Sequence, residues 1–471
     1  MFDLCIRGGT IVTDAGSYRG DIFIDAGKIA AITAPGSGDA GAMSGFSAAR
    51  VIDADNRHIL PGMIDSHAHF RTWSEHCDSF DDLMESAALG GLSSVLGFIA
   101  GASAGVGDLN YRVEQMLAQA TAGGAPIDYS FHVILTDEEH DPISQLESVA
   151  EQGIHSAKLF MTYADRGLMV SDDFMFRAMS ELQRIGGLAM VHAELDGPIS
   201  TIERRLRSTG ELNAATFNDS RPSWLEAEGA RRAAEYALRT ECPLYVVHVS
   251  CEEGIDALVD ARARGAQVYI ETCPQYLNLD SSATVEQQAK AKVAPPLRSD
   301  RDRQAITDAV LEGIVDVVAS DHSPKTKDLT DRSDDYFARA PVGAPGTQTL
   351  LLMTWRALAE NGCSLSDLVR LTSSQPAAIF GLDDRKGAIE VGRDADLTIV
   401  DTQATTRVDA AKQRSQTGYT LYDGVEIPLR IETTISRGNL VLSEERLSPE
   451  RTGSGLSQSW VWLCRVGERV Q

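Results

Sequence analysis

Apolar and polar positions along this chain follow two rhythms. From residue 1 to about 58 they alternate in short runs, LCIRGGTIV, GDIFIDAGKIAAI and ARVIDADNRHIL, separated by Gly, Asp and Asn turns. Side chains of an extended run point alternately to two faces, so each run offers one apolar face to a core and a small β structure is expected. The same texture returns late in the chain, in GAIEVGRDADLTIVD and IPLRIETTISRGNLVL. Neither segment closes a core alone, so one β-sandwich domain is expected from residues 1–58 and 381–445 together.

Over residues 59–380 the rhythm changes to continuous apolar runs of strand length alternating with helical periodicity, the signature of repeated βα units and a parallel sheet. Eight runs qualify: ILPGMIDSH (59–67), LSSVLGFI (92–99), IDYSFHVIL (127–135), HSAKLFMT (155–162), LAMVHAE (188–194), LYVVHVS (244–250), AQVYIET (266–272) and VDVVASDH (315–322). Amphipathic helices are expected between them, at 108–122, 171–185, 223–239, 252–264 and 300–313. The fold class is therefore α/β, a (β/α)8 TIM barrel beside a small β-sandwich. The two longest βα connections, 195–222 and 323–347, are rich in Gly, Pro, Asp and Arg and are expected to be loops able to act as lids. Residues 446–471 form a tail whose Trp460, Val461, Trp462 and Leu463 would cover either a neighbouring subunit or the molecule's own surface.

A length of 471 residues suits one barrel and one smaller domain. With 43 Lys and Arg against 68 Asp and Glu the net charge is -25, which repels phosphate backbones and anionic lipid. Neither nucleic acid nor a membrane is an expected partner. The uncharged stretch from Ser86 to Gly107 is long enough to raise the question of a membrane span, but it is rich in Gly, Ala and Ser. It reads as a helix end, a buried strand and a Gly-rich loop. Seven cysteines without a Cys-x-x-Cys pair suit neither a disulfide framework nor a structural zinc site, and a reducing cytoplasm is the expected compartment. MFDLCIRGGTIV lacks the basic start of a signal peptide and alternates like a strand.

Burying a polar side chain is costly unless it has a partner or a task, and five of the apolar runs end in such groups. The first leads into Asp65, Ser66, His67, Ala68 and His69, the fourth carries Lys158, and the fifth, sixth and eighth hold His192, His248 and Asp321-His322. In a TIM barrel these ends converge on one mouth. A His-x-His on extended backbone puts both imidazoles on one side, where they reach one ion. Imidazole and carboxylate suit zinc and similar divalent cations. Lys158 is the odd member, because an ammonium is repelled by cations and cannot coordinate. Carboxylated by CO2, it becomes an anionic ligand able to bridge two ions about 3.5 to 4 Å apart. A single buried His is ordinarily a satisfied core residue, and it is the coincidence on five strand ends that favours a metal site. His58, His76, His132, His140 and His155 lack such placement and read as structural or surface residues, while His322 reads as support for the site.

PGMIDSHAHF (61–70), SAKLFMTY (156–163), VHAE (191–194), VHVSC (247–251), ETCPQYLNL (271–279), KVAPPLR (292–298), ASDHSP (319–324) and GRDADLTIVD (392–401) stand in an order that resembles the amidohydrolase superfamily. The branch is that of hydantoinases, dihydropyrimidinases, allantoinases and dihydroorotases, and the resemblance spans nearly the whole chain. It implies that His67, His69 and Asp321 bind one metal, that His192 and His248 bind a second, and that carboxylated Lys158 bridges them. A bridging hydroxide would attack the ring carbonyl of a small cyclic amide, with Asp321 shuttling the proton to the departing nitrogen. Tyr163, five residues beyond Lys158, would polarise that carbonyl and stabilise the oxyanion. The family is usually zinc-dependent, and its members are commonly homotetramers or dimers.

Some positions depart from the pattern. Ala294 stands where dihydropyrimidinases have Ser before the Pro-Pro pair, leaving a backbone carbonyl for the substrate, and Val342 replaces the amide of their late loop. Arg71, in a His-x-His-Phe-Arg segment like that of dihydroorotases, would bind a substrate carboxylate by a bidentate pair. Yet GFIAGASAGVG (97–107) replaces the Met-Pro-Asn-Thr of those enzymes. The expected function is hydantoinase-like opening of a ring whose substituent differs from the usual pyrimidines. An allantoinase- or dihydroorotase-like ring opener is the alternative within enzymes, and a non-catalytic dihydropyrimidinase-related assembly protein the alternative outside them.

Overall fold

A computed structural model describes residues 1–36, 46–71, 77–99, 108–136, 141–326 and 334–458. Eight parallel strands lie side by side in chain order: Met63–Ala68, Leu92–Ile99, Asp128–Ile134, Ser156–Phe160, Leu188–His192, Leu244–Val246, Val268–Thr272 and Val317–Val318. A parallel bridge between Ala68 and His322 joins the last strand's exit to the first strand, where the His69 N–H donates to the His322 carbonyl at 2.7 Å. The sheet thereby closes into the barrel. Leu92–Ile99 is buried at every position, as expected of strands covered by helices outside and by side chains within.

The five expected helices are present as Leu109–Gly123, Asp172–Arg184, Ser223–Thr240, Glu252–Ala263 and Asp300–Leu311. Local chemistry starts three of them: Asp108, Ser171 and Ser299 each accept a hydrogen bond from a backbone N–H of the first turn. Among the described residues no helix is long and apolar enough to cross a membrane.

A second, nine-stranded sheet draws its strands from 2–61 and from 397–447. The seam is His58–Pro61, parallel to Phe2–Thr13 on one side and antiparallel to Leu397–Asp401 on the other. The run ILPGMIDSH is therefore not one strand, because Gly62 splits it between the two sheets. The Gly62 N–H donates to the Asp396 carbonyl at 2.7 Å, and a Cβ there would lie 2.2 Å from the Ser93 hydroxyl, so only glycine lets the chain step across.

Residues 195–222 also differ from expectation, since Asp196–Ser208 and Phe217–Ser220 are helical. Ile199, Ile202 and Leu206 give the first helix an apolar stripe, and the last two pack with Phe217 and Phe337. Arg446–Leu447 pairs with Asn439–Ser443, and the chain then crosses the starts of two barrel strands. There Leu456 N–H donates to the Tyr129 carbonyl, while the Gln458 carboxamide accepts from His155 N–H and donates to the Phe131 carbonyl. This part of the tail covers the molecule's own barrel. The Trp460–Leu463 cluster, Cys464, His76, His140, residues 100–107 of the Gly-rich loop and 327–333 of the second connection lie outside the described residues.

Candidate active site

The barrel closure brings the six side chains at the strand ends into one buried group. His67 Nδ1 lies 2.6 Å from Glu271 Oε1, which accepts a hydrogen bond from Nδ1–H and leaves Nε2 facing Asp321 Oδ1 at 3.2 Å. His69 Nε2 lies 3.5 Å from the same oxygen, and the three ligand atoms fall within 4.8 Å of one another. Across the mouth the His192 and His248 rings stand edge to face with centroids 4.5 Å apart, and His248 is 5.5 Å from His67. His67 Nε2 and His248 Nδ1 are buried without a hydrogen-bond partner. Such nitrogens are costly to bury unless something else satisfies them, and a cation does so. Burial pushes both imidazoles well below their ordinary pKa, aided at His67 by the Lys158 charge and at His248 by His192. Both are then neutral, the state that ligates metal.

Backbone shape aims these groups. Tyr163, His248 and Asp321 have φ of 69°, 42° and 48°, a region that costs a residue with a side chain about 1–3 kcal/mol. Each lies two or three residues past the end of a barrel strand.

Lys158 sits between the two histidine sets. Its Nζ is 5.2 Å from the centroid of Phe98, whose ring lies 4.9 Å from both His67 and His69, and 5.3 Å from that of Phe160, which lies 5.6 Å from His192. Burial pulls its pKa down to about 8 against the attraction of Glu271 and Asp321.

Tyr163 is buried, with its ring 5.2 Å from His192 and the Arg221 guanidinium 5.3 Å from its centroid. Burial pushes its phenol up, so it remains a proton donor. Ala294 and Val342 belong with Tyr163 to one apolar cluster. Arg71 is exposed and donates to Gln416 Oε1 at 3.3 Å, away from the lining of the cavity beside Tyr163. His322 accepts from the Gly346 N–H at 3.2 Å and faces Asp78 at 3.3 Å, which anchors the loop after the eighth strand. His132 is satisfied by Ser156 and the Ser66 carbonyl.

The carboxylates behind the ligands, Glu271, Glu194 and Asp65, were given no role by the sequence pattern, although Asp65 stands among the polar groups that end the first run. Glu271 Oε2 accepts from the Tyr245 hydroxyl at 2.8 Å, and Oε1 accepts from the His248 N–H at 2.9 Å as well as from His67. Glu194 Oε2 lies 2.8 Å from His192 Nε2 and 2.7 Å from Arg221 Nη1. Asp65 accepts from Ser320 and Thr347 hydroxyls at 2.6 and 2.7 Å. The available signal was an acid ending an apolar run, as in AQVYIET and LAMVHAE.

A closed parallel barrel with histidines and an aspartate at its strand ends defines a class, and the chain belongs to it: the amidohydrolase family matches residues 58–441. Within that family the chain is 33% identical over 453 residues to a D-hydantoinase of Rhizobium radiobacter, covering 94% of this chain and 95% of that protein. Its fold is similar to that of a solved D-hydantoinase, with TM-score 0.90, 31% identity and coverage of 98% of this chain and 100% of the other. It is also similar to the dihydropyrimidinase from Brevibacillus agri NCHU1002, with TM-score 0.88, 30% identity and coverage of 97% and 98%.

Proposed function

We propose that this chain is a metal-dependent hydrolase that opens a cyclic amide of the hydantoin or dihydropyrimidine kind. The observation that carries the reading is the pair of buried histidine sets on either side of Lys158, with Tyr163 beside them. His67, His69 and Asp321 would hold one divalent cation, His192 and His248 a second, and Lys158 would join them as a carbamate. In forming it, the amine nitrogen bonds to the carbon of CO2 and releases a proton, which gives an anionic oxygen ligand. Imidazole nitrogen with carboxylate and carbamate oxygen suits zinc. When bound, the two cations supply Lewis-acid activation of water and polarisation of the amide carbonyl.

The remaining steps belong to side chains. Asp321 takes a proton from the attacking water and returns it to the ring nitrogen as the C–N bond breaks. The Tyr163 hydroxyl donates to the carbonyl oxygen as negative charge builds there. Glu271 and Glu194 hold the imidazoles in orientation, and the Ala294 carbonyl receives a ring N–H. Arg71, bonded to Gln416, is not needed for this chemistry. A homodimer or homotetramer in a reducing cytoplasm completes the proposal.

The test is metal analysis with steady-state assays on hydantoin, 5-substituted hydantoins, dihydrouracil, allantoin and dihydroorotate. About two divalent ions per chain and turnover of a hydantoin or dihydropyrimidine are expected. A metal-loaded protein inert on all of them would overturn the proposal.

A further inference from the structure

A cavity of about 800 Å³ opens beside Tyr163, between the Asp196–Ser208 helix and residues 338–342. Its charge is opposite to that of the molecule. Six of its lining residues are Arg or Lys and three are Asp or Glu, whereas the whole chain carries 43 basic and 68 acidic residues. Arg204 and Arg207 stand three residues apart on the helix and so share a face. Glu203 is engaged by Arg207 at 3.5 Å and by Arg221 at 3.3 Å, and Arg221 also bonds Glu194. Arg204 has neutral partners, the Ser200 carbonyl at 3.0 Å and the Thr201 hydroxyl at 3.3 Å. Lys292, only 4% exposed, points Nζ at the Phe337 and Ala340 carbonyls at 2.9 and 2.7 Å. Burial brings its pKa down to about 7, and an anion beside it would raise that value and keep the ammonium charged.

We infer that this cavity receives an anionic substituent of the ring, a carboxylate on a short chain, with Arg204, Arg207 and Lys292 selecting it. The inference rests on the cyclic-amide reading: the ring lies at Tyr163 and its substituent extends into the cavity. A carboxylate there gains charge-assisted hydrogen bonds from Arg204 and Lys292, whose present partners are neutral, and from Arg207, which it would share with Glu203. An alkyl or aryl group would strip water from those cations and return nothing.

The experiment compares 5-(2-carboxyethyl)hydantoin with its carboxamide, which has the same shape without the charge, on the metal-loaded full chain, by calorimetric binding and by kcat/KM. The carboxylate is expected to be favoured about 10- to 100-fold, the worth of one hydrogen bond to a charged group, with the margin narrowing as salt rises. In an Arg204→Gln/Arg207→Gln variant the ratio should move toward one. The ratio is taken within each protein, so a general loss of folding or metal cancels. Equal or better binding of the carboxamide by the unmodified protein overturns the inference. Hydrolysis without a preference removes the cavity assignment alone. Preferential binding of the carboxylate without hydrolysis of either ring supports that assignment and removes the cyclic-amide reading.

Discussion

Lys158 and Lys386 are buried to 1% and 2% exposure, yet they keep opposite company. Lys386 Nζ meets Asp128 at 2.5 Å, Asp394 at 3.1 Å and also Asp396, tying the third barrel strand to the nine-stranded sheet. Further cations balance the excess, with Lys28 2.7 Å from Asp394 and Arg437 3.2 Å from Asp128. Burial pushes Lys386 down, but the three carboxylates outweigh it and its pKa ends above the ordinary value. Those carboxylates lie close enough to cage a metal ion, but the ammonium already fills that role. Around Lys158 stand imidazoles and aromatic rings, and among the described residues no carboxylate reaches it at ion-pair distance. One lysine completes a network of fixed charge. The other is a buried cation that feels Glu271 and Asp321 only from beyond contact, the kind of strained electrostatics that clusters at functional sites.

The sharpest way to break this comparison is to remove each lysine in turn. For Lys158→Ala we expect metal content well below two per chain and kcat/KM down by about 10³-fold or more, the scale of lost metal catalysis. Bicarbonate or short carboxylic acids should restore part of it by supplying the missing oxygen bridge. The metal-free variant should unfold at no lower temperature than the metal-free parent, since only an uncompensated charge has gone. Full activity would rule out a bridging role.

Lys386→Met should do the reverse. It leaves three carboxylates around an apolar side chain and should cost about 3–5 kcal/mol of stability, read from unfolding midpoints, with turnover per folded molecule unchanged. Burial raises Asp394 but the Lys386 charge outweighs it, and its pKa ends at about 2. A lowered carboxylate stabilises the fold above about pH 4 and loses that contribution as pH falls through its folded pKa. The gap between parent and variant should therefore narrow on acidification below about pH 4. A variant as stable as the parent at neutral pH would show that the network is replaceable. Next in size, Tyr163→Phe should lower kcat about 10- to 1000-fold with metal content unchanged, because only a donor to the developing oxyanion is lost. An unchanged kcat would remove Tyr163 from the chemistry.

The contrast also marks what a sequence can show. Polar groups ending apolar runs betray themselves locally, so the positions of His192, His248 and Asp321 were legible without coordinates, as was the order of the barrel strands. The Lys386–Asp128 contact joins residues 258 apart and leaves no local trace. Gly62 hid a change of sheet because the apolar run continues through it. The stripe of Ile199, Ile202 and Leu206 was masked by Glu203, Arg204, Arg205 and Arg207. Glu271 was visible as an acid on a buried strand, but its partners His67 and Tyr245, 204 and 26 residues away, appear only once the barrel is closed.

Glu271 gives the finest test of how far the histidine side of the comparison depends on fixed charge. In Glu271→Gln the amide nitrogen is expected to turn toward Tyr245, whose hydroxyl can then donate to Ser66 Oγ, 3.3 Å away. The amide oxygen would keep the bonds from His67 Nδ1 and the His248 N–H, so orientation and tautomer survive. Burial holds the Glu271 carboxyl up at about 8, and with a cation held at His67 Nε2 the group is kept as the anion; what the variant loses is that charge, which makes the Nε2 lone pair a stronger donor. Removing such a partner behind a ligand typically costs about 10- to 100-fold in metal affinity, and with geometry preserved the smaller figure applies. Competition with a chelator of known affinity measures it. A loss far beyond 100-fold would mean that the tautomer has flipped, and no loss would mean that the carboxylate's charge is not felt at the metal site.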